Sequence, residues 1–317
     1  MAVKAGRLNL VDKSTLVYNL IVVLLLLCFS PRLPQWNRLI LVNLGMIALV
    51  VFGIPRVTER SHVLLRFVRN LYPMAFFFAA YTQTERMNLV IFTEFLDPLF
   101  QHMEIRIFGF QPALAFAERF PQWWFGEYMY FAYFSYYLMF LSLGVILYFR
   151  RDLLPFREFM FTLCNTFYVH YIIFILLPVA GPRVFGESAA ATRGLFPKLM
   201  TALMNRFELG GAAFPSSHVA VALLVMYFAF RYLPPKTFPV YGILGISLMT
   251  ATVYCRYHYA IDVFAGILSG AGLTFFWRCV FLLKTQQAGG TGSGLLPEPA
   301  IQTVASPKSG GSGTPRA

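Results

Sequence analysis

Three short stretches carry side chains of the types that handle a phosphoryl group. In "TVYCRYHYAIDVFAG" (252–266), His258 and Asp262 stand four apart, a spacing that puts both on one helical face. A carboxylate so placed holds one ring nitrogen and leaves the other as a nucleophile or base. In "GGAAFPSSHVAVAL" (210–223), Pro215 suits the start of a helix and Ser216 or Ser217 can cap its first amides. A helix N-terminus is an anion site, and Gly210 and Gly211 let the backbone come close. His218 falls in the first turn, where the dipole disfavours a cation unless an anion sits beside it. Arg183, in "LLPVAGPRVFG" (176–186), and Arg256 add guanidinium forks that match phosphate oxygens. Each feature also has a plainer reading. The prolyl-serine pair can simply begin a helix, His218 can pack at an interface, His258 and Asp262 can form a structural bond, and the arginines can touch headgroups.

The elements that must carry these residues are membrane helices. Of 317 residues, 58% are hydrophobic and 13% charged, with 34 phenylalanines, whereas soluble domains are about a quarter charged. Apolar runs predict eight spans, at 16–30, 38–54, 63–83, 124–148, 159–179, 217–233, 237–255 and 259–282. Arg66 and Arg69 lie inside the third, near one end, where they can snorkel to the interface. The net charge of +12 sits in clusters between runs, which fits topology signals and lipid contacts and excludes a nucleic-acid stripe. The basic bias predicts both termini on the cytoplasmic side and the three polar stretches together on the outer face.

Residues 84–123 are too polar for a simple span, and interfacial helices are expected there, bent at Pro98 and Gly109. Asp97, His102 and Glu104 read as a solvated face in preference to a metal site. His170, in mid-span, reads as a packing residue, and the four cysteines as small core residues. The first span follows Lys4, Arg7 and Lys13 but lacks a small-residue cleavage site, so it is expected to be retained. The division predicted is residues 1–62 as N-terminal helices, 63–284 as a catalytic membrane domain, and 285–317, rich in Gly, Ser, Thr and Pro, as a disordered tail.

"PSSH" followed some forty residues later by "HYAIDVFAG" resembles the type 2 phosphatidic acid phosphatase superfamily, with its Pro-Ser-x-His and His-x-x-x-Asp motifs. The "HY..D" pattern, "LDPLFQHMEIRIFG" and "GPRVFG" are most similar to the branch of inositol phosphorylceramide synthase and sphingomyelin-synthase-like transferases. The resemblance covers roughly residues 90–280. It implies His258 as nucleophile, Asp262 as its orienter, His218 as the acid for the departing oxygen, and Arg183 as a phosphate-binding arginine. Ser216, Ser217 and Arg256 join as candidate phosphate contacts. It implies a lipid phosphate substrate in the bilayer and no metal or other cofactor. Two departures stand out: Leu176 replaces the usual lysine of the first motif, and Thr252 the usual arginine of the third. The competing expectation is a lipid transporter or scramblase that uses the same basic pocket without catalysis.

Overall fold

A computed structural model of the chain describes residues 8–58, 60–186, 194–207 and 210–289. Most of the predicted tail lies outside the described residues. Eleven α-helices are described: α1 (Leu10–Cys28), α2 (Trp36–Ala48), α3 (Val63–Met87), α4 (Asp97–Phe108), α5 (Pro112–Arg119), α6 (Trp123–Tyr148), α7 (Leu154–Leu176), α8 (Leu195–Phe207), α9 (Ser217–Tyr232), α10 (Phe238–Tyr254) and α11 (Ala260–Gly289). The backbone divides into a unit over 1–281 and a second from 282 onward, whose described part is the last turns of α11.

Among the described residues, six helices are long and apolar enough to cross a membrane: α1, α2 with the turns that prolong it to Arg56, α3, α6, α7 and α11. Two further apolar helices, α9 and α10, are shorter, at 16 and 17 residues. The eight apolar runs in the sequence correspond to these six and two. This is an all-helical integral membrane protein.

α7 is the most enclosed of the six long helices. It packs against α1, α3, α6 and α9, while α10 lies against α6 and α9. Polar side chains join the helices where apolar packing alone gives little drive in lipid. Tyr128 and Ser247 share a hydrogen bond of 2.6 Å across α6 and α10, and Ser142 and Tyr241 another of 3.0 Å. His170 bridges α7 to α11, with Nδ1 2.8 Å from Thr166 O and Nε2 3.2 Å from Ser269 Oγ, as a packing residue should. On α11, Gly266 and Gly270 lie one turn apart against α9, where a Cβ would come within 2.7 Å of Ser216 O and 2.6 Å of Ala220 Cα. Hydrogen in place of a side chain is what lets these two backbones touch.

Three expectations need correction. α1 starts at Leu10, six residues before the predicted apolar run, because Asn9 and Asp12 cap each other's backbone N–H groups. Arg69 does not snorkel: it turns inward to Asp12 at 2.7 Å, and Asp12 also accepts from Tyr72 Oη at 2.9 Å. Asp97 and Glu104 are buried, so they form no solvated face, although His102 is exposed. The interfacial region does contain helices, α4 and α5, with Pro98 in the first turn of α4 and Gly109 ending it at φ 79°. α8 was not foreseen in the sequence.

Candidate active site

The second polar stretch becomes the start of α9. Ser216 is its N-cap, in extended backbone, and its side chain accepts from Val219 N at 3.3 Å. Pro215 precedes the cap by one residue instead of opening the helix. His218 is therefore the second helical residue, as its first-turn reading required. The Ser216 amide, read from the sequence as a phosphate donor, is committed to Asp262 O at 3.1 Å. The N–H groups of Ser217 and His218 are the ones left at the end of α9 without an intrahelical acceptor.

The third stretch is a turn between α10 and α11. Thr252, where the resemblance leads one to expect arginine, uses its carbonyl to accept from both Tyr257 N and His258 N, at 3.1 and 3.0 Å. Arg256 takes a left-handed conformation, φ 61°, to make this reversal. His258 lies ahead of α11, so it and Asp262 do not share a helical face as the spacing suggested. Asp262 instead sits in the first turn of α11 and reaches back to Tyr259 N at 2.8 Å. His258 Nδ1 is 2.8 Å from Ala213 O and 3.5 Å from Asp262 Oδ2. The carbonyl of Ala213 is thus the nearer partner, with the carboxylate beside it.

The two imidazoles, forty residues apart in sequence, meet. His258 Nε2 is 3.4 Å from His218 Nδ1, and His218 Nε2 is 3.0 Å from Tyr133 Oη. Because a carbonyl can only accept, His258 carries its proton on Nδ1 and directs the Nε2 lone pair at His218. His218 then donates from Nδ1, and Tyr133 donates to its Nε2. The rings of Tyr133 and Tyr136 flank His218 at centroid distances of 4.8 and 4.3 Å. Tyr133, Tyr136 and Ala213 were missed from the sequence, and only the aromatic density of α6 hinted at the tyrosines.

The first polar stretch lies against this turn. Arg183 reaches Asn205 Oδ1 at 2.6 Å, and its guanidinium stands 5.6 Å from the ring centre of Tyr257, the neighbour of His258. Asn205 belongs to the unforeseen α8. Arg256 reaches Gly186 O at 3.4 Å, three residues beyond Arg183. Gly181, at φ 93°, lies where a Cβ would be 2.6 Å from Tyr257 O, so the two loops are in backbone contact. Gly210 and Gly211 are left-handed at 87° and 88°, and Asn88 Nδ2 donates to Gly210 O at 2.6 Å. Among the described residues no three His, Cys, Asp or Glu groups come together as metal ligands.

Outside the spans, burial pushes the Glu104 carboxyl up to about 7, with the nearby Asp262 adding to the rise. Glu104 accepts from Ala260 N at 2.5 Å, where α11 begins.

Fold and site together define a helical membrane protein with two histidines paired between the start of α9 and the turn before α11, and with Arg183 and Arg256 on the loops that meet there. The PAP2 superfamily profile matches residues 106–275, more than half of the chain, and the chain belongs to that superfamily. A PA-phosphatase related-family protein of Dictyostelium discoideum is 27% identical over 118 residues, which is 35% of this chain and 21% of the relative. The chain therefore aligns with about a fifth of that relative's length. No solved structure matches.

Proposed function

We propose that the protein transfers a phosphoryl group from a lipid phosphate at the membrane surface, through a phosphohistidine on His258. The observation that carries this reading is the facing pair, His258 Nε2 and His218 Nδ1 at 3.4 Å, with each ring's other nitrogen engaged by Ala213 O or Tyr133 Oη. Superfamily membership and the name of the Dictyostelium relative support it.

In the first step the His258 Nε2 lone pair forms a bond to phosphorus as the P–O bond to the lipid breaks. His218, which in the complex carries a proton on both nitrogens beside the phosphate anion, with Tyr133 Oη now accepting from Nε2–H, gives its Nδ1 proton to the leaving oxygen and is left neutral. Phosphorus has to stand about 3–3.5 Å from the attacking nitrogen, so substrate replaces the direct histidine contact. Arg183 and the free amides of Ser217 and His218 stabilise charge on the equatorial oxygens, and Arg256 adds positive potential at the rim. In the second step His218 takes a proton from the incoming hydroxyl, whose oxygen attacks phosphorus and breaks the P–N bond. Water gives inorganic phosphate; an alcohol gives its phosphate ester, which is a new lipid when the alcohol is one such as ceramide. The route uses the protein's own side chains and backbone amides and calls for no metal. Similarity of the motifs to the inositol phosphorylceramide synthase branch favours an alcohol. The basic bias of the connecting segments favours a site on the extracytoplasmic side of the cell membrane.

The test is to incubate purified protein with labelled phosphatidate, isoprenoid diphosphate and phosphoinositide, each with and without inositol or ceramide. Released phosphate or a new lipid is expected, inhibited by vanadate. His258→Ala and His218→Ala are expected to fold and to lose at least about a hundredfold in turnover. Full activity in either variant would refute the assignment, as would lipid movement across vesicles without any product.

A further inference from the structure

Two buried carboxylates on α4 take no part in the steps above, yet both touch the loops that carry them out. Asp97 Oδ2 accepts from Ala180 N and Oδ1 from Gly181 N, each at 2.8 Å. The same Oδ1 accepts from Tyr259 Oη at 2.9 Å. Next to it Leu96 N donates to Pro178 O at 2.8 Å. One carboxylate therefore binds the loop leading to Arg183 and, through a tyrosine hydroxyl, the turn holding His258. This joint closes where the two loops are already in contact, Gly181 against the Tyr257 carbonyl and Arg183 over the Tyr257 ring. Two turns of helix along, Glu104 holds Ala260 N, and Gln101 Nε2 donates to Tyr259 Oη at 3.3 Å. Asp97 and Glu104 both precede residue 106, where the superfamily match begins.

We propose that Asp97 is a positioning residue: its carboxylate locks the Arg183 loop to the His258 turn and so sets the distance between the phosphate-binding guanidinium and the attacking imidazole. The role rests on the phosphotransfer reading above. A carboxylate suits this place because all three partners are donors. Two are backbone N–H groups that cannot reverse, and an ionised carboxylate accepts without offering a competing hydrogen. Asparagine has the same shape but turns an NH₂ group toward at least one of those donors.

The experiment compares the wild type, Asp97→Asn, Tyr259→Phe and the double variant. Kinetics use whichever lipid phosphate of the panel the wild type turns over, and backbone amide exchange is followed by mass spectrometry. Asp97→Asn is expected to speed exchange at Ala180 and Gly181 and to lower kcat/KM about tenfold, the worth of one hydrogen bond to a charged group. Vanadate inhibition should weaken by a similar factor, because vanadate must also span guanidinium and imidazole. Tyr259→Phe keeps the hold on both amides and cuts only the link to the turn, so it should lower kcat/KM without speeding that exchange. The double variant should be no slower than Asp97→Asn, since both act through one joint. If Asp97→Asn does not fold, Tyr259→Phe decides on its own. An active wild type with unaltered kinetics and vanadate inhibition in the folded variants overturns the proposal alone. A wild type inert toward the whole panel sinks the phosphotransfer reading, and the positioning role with it.

Discussion

At the scale of single residues, the site shows side chains whose neighbours decide their use. Ser216 has the type and place of a phosphate ligand, yet its amide belongs to Asp262 O and its oxygen caps α9. Ser216→Ala should therefore cost about 1 kcal/mol of stability, the usual worth of a helix cap, and lower the thermal midpoint in detergent. A stability unchanged from wild type would mean that the cap contributes nothing. Tyr133 has the opposite history, an unremarked tyrosine in an aromatic helix whose hydroxyl fixes the far nitrogen of His218. A neutral hydrogen bond of this kind is worth about 1 kcal/mol, so Tyr133→Phe should reduce kcat by roughly fivefold. Because Tyr133 lies behind His218, KM should stay close to wild type; a rise in KM with constant kcat would place the hydroxyl against substrate instead.

At the scale of elements, α11 does two jobs whose demands differ. Along its length it must lie close to α9, and Gly266 and Gly270 make this possible. Gly270→Ala should cost about 1–3 kcal/mol, because the new methyl meets the Ala220 backbone and neither helix can yield locally. Nothing lies within 4 Å of where a Cβ would stand on Gly272, so Gly272→Ala is the matched control and should not lower the thermal midpoint. At its start α11 meets the Glu104 carboxyl, which burial raises from its ordinary value of 4.5 to about 7. The fold thus favours the protonated form. Stability from this group is greatest below pH 4.5 and is lost as pH rises to about 7. Thermal midpoints measured between pH 5 and pH 8 should fall in the wild type, and Glu104→Gln should remove that part of the slope. An identical slope in both proteins would assign the dependence elsewhere. Neither feature was legible beforehand: glycines in an apolar run carry no label for what they face, and a lone carboxylate in an amphipathic stretch looks solvated until its neighbours are known.

For the whole molecule, the readable part of the sequence was whatever the bilayer enforces. Long apolar runs give helices because lipid offers no other partner to backbone N–H and C=O groups, and the paired histidine motifs stood out because ionisable groups are costly there. Contacts between distant segments escaped, since Asp12 with Arg69, Ala213 O with His258, and Asp97 with Gly181 leave no local pattern. The first of these fastens two of the N-terminal helices, which precede the superfamily match, to each other, and a neighbouring contact fastens them to the rest. Asp12 on α1 is fully buried and paired with Arg69 of α3, while Tyr18 of α1 stacks on Tyr168 of α7 with centroids 4.4 Å apart. Removing one partner leaves a buried charge uncompensated, so Arg69→Ala should cost about 3–5 kcal/mol. Neutralising both, as Asp12→Asn with Arg69→Gln, should recover more than half of that loss, because the desolvation cost disappears with the charges. Thermal unfolding in detergent checks both, and a double variant as unstable as the single one would show that the pair acts through packing. Turnover adds a second criterion. If α1 to α3 only brace the bundle, folded Arg69→Ala keeps the wild-type kcat; a fall in kcat below the unfolding range would mean that strain at this pair travels along α3, through the segment that leads to Asp97, into the site.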